Sequence, residues 1–327
     1  AGIAAFYPEL VWFSAHFWVE TLFTALLWWG FERLLAADRQ ASAVPAAAAG
    51  LLWGLAILAR ETVLYFLPLA ALWLAWRRPR GLARAAAFLT LAIGVVAPWT
   101  YRNWRVYDAF VPVSTAGALN LWQGNATISR EEVYEQYWAV RGRIEKYRFA
   151  RQKGLEAIWA RQPAWFFEKL RQEMPNFWEA DSQALVHIVR GAYGPYDKAT
   201  AVAAVVVVLA TFVVVLVLFV LGLAVLPEER GPLLLVAFLA YYVLLHVATH
   251  GYARYRLPAM PVLFLIGAFA WASWRSGTYP SLTRARRTVG AAVALALALS
   301  VAPTLLSWFT EPWDKPVEPG EAREEAS

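Results

Sequence analysis

The chain has 327 residues, of which 60% are hydrophobic and 17% charged; an ordinary soluble domain carries roughly one quarter charged residues, so this composition excludes a soluble globular class. Its formal charge of +6 does not argue for nucleic acid as a partner, because the arginines concentrate in short loops beside apolar segments, where membrane topology accounts for them. The absence of cysteine rules out disulfides, iron–sulfur clusters and cysteine-based zinc sites.

In chain order, the sequence begins at Ala1 with no basic n-region or cleavage motif, so no signal peptide is expected and the chain reads as starting late in a longer protein. Apolar runs then predict eight transmembrane helices, over residues 10–35, 44–59, 62–76, 85–99, 200–226, 231–249, 257–274 and 288–308. The run from Ala201 to Leu226 carries no charge at all and exceeds the roughly 20 residues a spanning helix needs. The second and third runs, parted by Arg60, Glu61 and Thr62, are short or tilted. The predicted fold is therefore an all-α polytopic membrane protein: residues 1–99 hold four spans, 100–199 a largely helical polar domain, 200–308 four more spans, and 309–327 a disordered tail rich in Pro and Glu.

Short basic loops stay cytoplasmic, and long domains do not count. Arg33, Arg39, Arg77, Arg78, Arg80, Arg84, Arg230, Arg275, Arg284, Arg286 and Arg287 fall on one side; Arg60, Arg254 and Arg256 fall on the other. The polar domain and the tail are thus expected to be extracytoplasmic, and the protein to be integral to a bacterial plasma membrane. Within the domain, Leu155, Ile158, Trp159, Trp165, Phe166, Leu170 and Phe177 among charges predict amphipathic helices, one of them begun by Pro163. Their apolar faces have two readings: packing on the membrane surface or helix bundle, or a small subdomain with its own core.

Ionisable residues in such segments are costly and point to partners or cavities. His16 and Glu20, four apart, are expected to share a helix face. His246 and His250 have the same spacing, but no carboxylate follows, so no metal site is assigned, no cofactor is predicted, and a divalent metal is left open. Arg60, Arg254, Arg256 and His250 gather at predicted helix ends on the extracytoplasmic side, the arrangement that suits an anionic lipid phosphate held by guanidinium groups. Glu61, His16, Glu20, Arg102, Asn103, Asn120 and Asn125 are candidate cavity-lining residues.

Several fragments in order carry a family resemblance: Phe6-Tyr7-Pro8 with Glu20-Thr21, Leu58-Ala59-Arg60-Glu61, Pro98-Trp99 through Arg102-Asn103, Val111-Pro112-Val113-Ser114, Asn120-Leu121-Trp122 with Gly124-Asn125, and His250 with Arg254 through Pro258. Along nearly its whole length the chain resembles the polytopic glycosyltransferases of the GT-C fold, in the branch of protein O-mannosyltransferases and lipid A aminoarabinose transferases (glycosyltransferase family 39-like). The resemblance implies transfer of a sugar from a polyprenyl-phosphate donor to a glycan, lipid or protein acceptor at the extracytoplasmic face. It places Arg60 near the carrier phosphate and the His250–Arg256 segment along the same cavity. The family's catalytic Asp lies in a loop preceding Ala1, so this chain is expected to be a fragment that is inactive alone. A lipid flippase or transporter, and a non-catalytic membrane scaffold, are the rival classes.

Overall fold

A computed structural model describes residues 2–76, 79–180, 182–189, 192, 197–277 and 283–310; Arg77, Arg78 and residues 311–327 of the expected disordered tail lie outside the described residues, while Phe309 and Thr310, also placed in that tail, are helical. Among these, every regular element is helical: α1 (Gly2–Ala5), α2 (Pro8–Ser14), α3 (Val19–Gln40), α4 (Ala43–Ala59), α5 (Leu67–Ala75), α6 (Gly81–Tyr107), α7 (Ala116–Gln123), α8 (Arg130–Ala139), α9 (Arg143–Trp159), α10 (Ala164–Trp178), α11 (Gln183–Val189), α12 (Lys198–Val225), α13 (Arg230–Ala248), α14 (Met260–Ser276) and α15 (Arg284–Thr310), with 3-10 turns at Glu61–Phe66 and Ala253–Ala259. Five helical segments are long and apolar enough to cross a membrane, over Gly81–Tyr107, Lys198–Val225, Arg230–Ala248, Ala253–Ser276 and Arg286–Thr310. The protein is an all-α polytopic membrane protein.

The first predicted span is not one straight helix. The chain bends by 113° between α2 and α3, although neither Gly nor Pro lies at the break. Side chains end α2 instead: the Ser14 hydroxyl donates to the Val11 carbonyl at 2.7 Å, His16 Nδ1 lies 2.7 Å from the Trp12 carbonyl, and Thr21 donates to the Phe13 carbonyl at 2.9 Å. The backbone N–H groups of Ala15 and His16 bond to the Trp12 and Phe13 carbonyls in a tightened last turn, and the side chains add to them. His16 and Glu20 accordingly do not share a helix face. Two further predicted spans, α4 and the segment Glu61–Ala75, are shorter apolar helices joined by a 3-10 turn.

The chain divides into two compact units. The first comprises Ala1–Ser114, Val217–Tyr242 and Leu257–Arg286. Its core centres on Trp53 of α4, fully buried, whose indole N–H donates to the Leu27 carbonyl at 3.1 Å and whose ring meets Phe31, Phe66 and Phe88 at centroid separations of 4.9, 6.0 and 5.4 Å. α4 packs backbone to backbone on α6 because Gly50 faces it: a Cβ there would lie 2.1 Å from the Phe88 carbonyl oxygen.

Charge is buried at one end of these helices. Arg84, 1% exposed, donates from Nη1 to the Ala37 carbonyl at 2.9 Å and lies 3.7 Å from Asp38. Arg230 lies 3.9 Å from the same carboxylate and donates to the Trp73 and Trp76 carbonyls, while the Trp73 indole donates back to the Arg230 carbonyl at 3.0 Å. Sequence alone counts Arg84 and Arg230 as loop charges; carbonyls at the C-terminal ends of α3 and α5 and the Asp38 carboxylate take their guanidinium groups instead.

The second unit comprises Thr115–Leu216, Val243–Arg256 and Arg287–Ser327. Its helices α7, α8 and α9 enclose a small core of Ala118, Trp122, Val133 and Ala150, flanked by Tyr137, Tyr147 and Phe149. Of the apolar residues that mark the amphipathic segment in the sequence, Phe177 is buried, whereas Leu155, Trp159 and Phe166 lie outside this small core and remain exposed. A full capping box at Ser129 and Glu132 starts α8.

Candidate functional site

Two polar clusters gather the residues singled out in the sequence. The first lies in the first unit. α3 and α4 run antiparallel, so Glu20, in the first turn of α3, meets Arg60, the C-cap of α4, with Nη1 to Oε1 at 3.0 Å. Glu20 is 6% exposed, and the Arg60 side chain is partly buried. The adjoining Glu61 opens the 3-10 turn and accepts the Ser114 backbone N–H at 3.4 Å.

Ser114 ends a strip that the last turns of α6 hold in place. Trp99 donates to the Val113 carbonyl at 2.9 Å, Thr100 to the Pro112 carbonyl at 2.8 Å, and the buried Asn103 amide to the Val111 and Val113 carbonyls at 3.1 and 3.0 Å. These bonds explain why α6 continues through Pro98 to Tyr107, where the sequence places the helix exit near residue 99: the turns beyond the proline have tertiary partners to stabilise them. Arg102 is exposed, donates to Asn103 Oδ1 at 3.1 Å and lies 5.1 Å over the Trp99 ring.

The second cluster lies in the second unit, where α13 ends. Lys169 of α10, 1% exposed, donates to Glu173 at 2.7 Å and to the Gly124 and Thr249 carbonyls. Glu173 Oε2 accepts the Gly251 N–H at 2.8 Å, and the same oxygen is 3.4 Å from His250 Nδ1. The Asn125 amide donates to the Leu121 and Ala248 carbonyls at 2.8 and 2.9 Å, and its Oδ1 accepts the Trp165 indole at 2.7 Å. The terminal carbonyls of α13 thus take an ammonium and an amide, donors suited to the negative end of a helix.

The helical periodicity of α10 points away from this arrangement. Its buried stripe is Lys169, Glu173 and Phe177, whereas Phe166 and Phe167 are 44% and 71% exposed. Lys169 and Glu173 escape a reading of the sequence because charged residues on an amphipathic helix are taken as solvent-facing; their i,i+4 spacing is the available signal. A buried carboxylate, Glu9, escapes it too: it accepts the Tyr7 hydroxyl at 2.8 Å.

The expected phosphate-binding set is divided between the units. Arg60 belongs to the first unit, and His250, Arg254 and Arg256 to the second. Arg256 is 1% exposed, donates to the Glu179 carbonyl and lies 4.2 Å from the Phe212 ring centroid. A basic residue near a helix end is expected to reach water; here a carbonyl and an aromatic face hold the guanidinium inside. Arg254 lies 5.1 Å over the Tyr255 ring and donates to that hydroxyl at 3.3 Å. His246 is buried between Phe177 and Tyr255, and His250 lies beyond the end of α13, so the pair does not share a helix face. Asn120 is exposed on α7. Among the described residues, no group of three or more His, Asp or Glu side chains is placed to hold a metal ion.

Burial works against the Glu173 carboxylate, but hydrogen bonds from His250 and Lys169, the Lys169 charge and the Gly251 N–H outweigh it and hold its pKa down to about 2. A carboxylate whose pKa folding depresses contributes stability that is fully present above its ordinary value of 4.5 and is lost as pH falls through about 2. The loss is about 3 kcal/mol. Near-UV circular dichroism in detergent should therefore show acid unfolding of this unit across that interval. Glu173→Gln should be less stable at neutral pH and show a weaker acid dependence; an unchanged acid profile would contradict this role.

Compared with family models, with curated proteins and with solved structures, the chain matches none.

Proposed function

We propose that this protein takes part in sugar transfer from a polyprenyl-phosphate donor to an acceptor at the extracytoplasmic membrane face, with Arg60 serving the carrier phosphate. One observation carries the reading: fragments far apart in sequence that underlie the resemblance to GT-C glycosyltransferases form a connected set of contacts, from Glu20 through Arg60 and Glu61 to Ser114 and then to Trp99, Thr100 and Asn103. Packing alone gives no reason for a guanidinium, two carboxylates and an arginine-flanked aromatic strip to meet at the ends of apolar helices. A planar guanidinium there suits a phosphate diester whose chain lies in hydrocarbon.

In that role Glu20 orients Arg60, and Arg60 offsets the negative charge that builds on the phosphate as the bond to the anomeric carbon breaks. The test is binding of polyprenyl phosphate to purified protein in detergent, followed by tryptophan fluorescence. The paired substitution Glu20→Gln with Arg60→Gln, which removes both charges together, is expected to weaken binding by about tenfold or more. Unchanged affinity in a folded double variant would count against the proposal and for a scaffold or transporter.

A further inference from the structure

The second unit leaves one face of α9 uncovered. Ala150 and Gly154 press against its core, with the Gly154 Cα side packed on Leu121 and Trp122. At the helical repeat, Arg148, Arg151, Leu155 and Trp159 fall on the other side, all exposed, with Trp159 72% exposed. With Tyr147, Gln152 and Glu156 they form one continuous open strip along α9. Neither Arg148 nor Arg151 has an ion-pair or hydrogen-bond partner among the described residues. The carboxylate in this strip, Glu156, is taken up by Gln152 at 2.8 Å and Lys153 at 3.8 Å. The helix as a whole carries five Lys and Arg against two Glu.

A helix face with cations at one end and a large indole and a leucine at the other matches the two-part chemistry of a phospholipid, an anionic headgroup followed by hydrocarbon. We propose that this face of α9 docks on anionic phospholipid, with Arg148 and Arg151 on headgroup phosphates and Leu155 and Trp159 at the level of the first acyl carbons. Charge complementarity selects this occupant over an acidic protein segment, which would have no need of the unsupported indole beside the arginines. The surface shares no residue with the Arg60 cluster, so it does not rest on sugar transfer.

The chain contains no cysteine, which makes a single reporter straightforward. A nitroxide attached at Leu155→Cys in the 327-residue chain, reconstituted in nanodiscs, is to be compared between phosphatidylcholine alone and phosphatidylcholine with phosphatidylglycerol. With the anionic lipid, the label should lose access to a water-soluble relaxation agent and gain contact with dissolved oxygen. Arg148→Glu with Arg151→Glu should reverse this by roughly tenfold or more in the preference for anionic lipid, with circular dichroism unchanged. A label equally exposed to water in both lipids would overturn the proposal. So would equal shielding in both, shielding already present in lipid-free detergent, competition by soluble glycerol phosphate, or indifference to the charge reversal.

Discussion

Gly124→Ala should unfold the second unit at a markedly lower temperature. A Cβ on Gly124 would lie 1.5 Å from the Thr249 carbonyl oxygen and 2.6 Å from its carbon, contacts that no side-chain rotation relieves because both atoms are backbone. The carbonyl of the same residue accepts from Lys169, and the neighbouring Asn125 bonds to the Ala248 carbonyl, so a displacement would open the whole polar cluster. A cost of roughly 3 kcal/mol or more follows from overpacking with loss of buried hydrogen bonds. Thermal unfolding in detergent, read by near-UV circular dichroism, should show it. Gly94→Ala is the matched comparison: a Cβ there meets nothing within 4 Å, and alanine favours the helix, so the change should be neutral or slightly stabilising. Equal stability of the two variants would contradict the close packing.

Arg60→Ala should be the other severe substitution, and the more instructive. It leaves Glu20, 6% exposed, as a buried carboxylate that has lost its guanidinium at 3.0 Å. Breaking a buried pair from one side costs about 3–5 kcal/mol, whereas removing both charges together costs far less. The double variant Glu20→Gln with Arg60→Gln should therefore recover most of the thermal stability lost in the single one. If instead the two effects simply add, the pair contributes no coupling. Because the double variant is the folded one, it also separates a defect in carrier-lipid binding from a defect in folding.

How far the sequence reveals this molecule depends on which interactions set each feature. The helical class and the long apolar segments are legible because bilayer thickness and backbone hydrogen bonding act on every residue of a span. The bend after Ser14 is not, since it depends on three side chains capping carbonyls, one of them from Thr21, seven residues beyond Ser14. The Glu20–Arg60 pair is half legible: both residues stand out as ionisable groups in apolar surroundings, but the i+4 rule offers His16 as the partner, and only the antiparallel return of α4 brings Arg60 to Glu20. Arg256 shows the opposite limit. Its charge is visible, yet its burial follows from the Glu179 carbonyl and the Phe212 ring, and neither contact leaves a local mark in the sequence. Lys169 and Glu173 are hidden for the same reason, since a buried ion pair on an amphipathic helix has the spacing of a surface pair.

The buried Arg84 and the partly buried Arg230, which meet at Asp38, illustrate two demands that one kind of side chain can meet. While the chain is being inserted, a basic residue acts as a label that holds its loop back from translocation. In the assembled helices the guanidinium groups of Arg84 and Arg230 bond to the Ala37, Trp73 and Trp76 carbonyls and lie beside Asp38. Lysine could meet the first demand equally well; the second needs a flat, forked donor that reaches carbonyls on separate segments. Arginine at these positions therefore suits the assembled helices, and an arginine-to-lysine exchange there should lower the thermal stability of this unit.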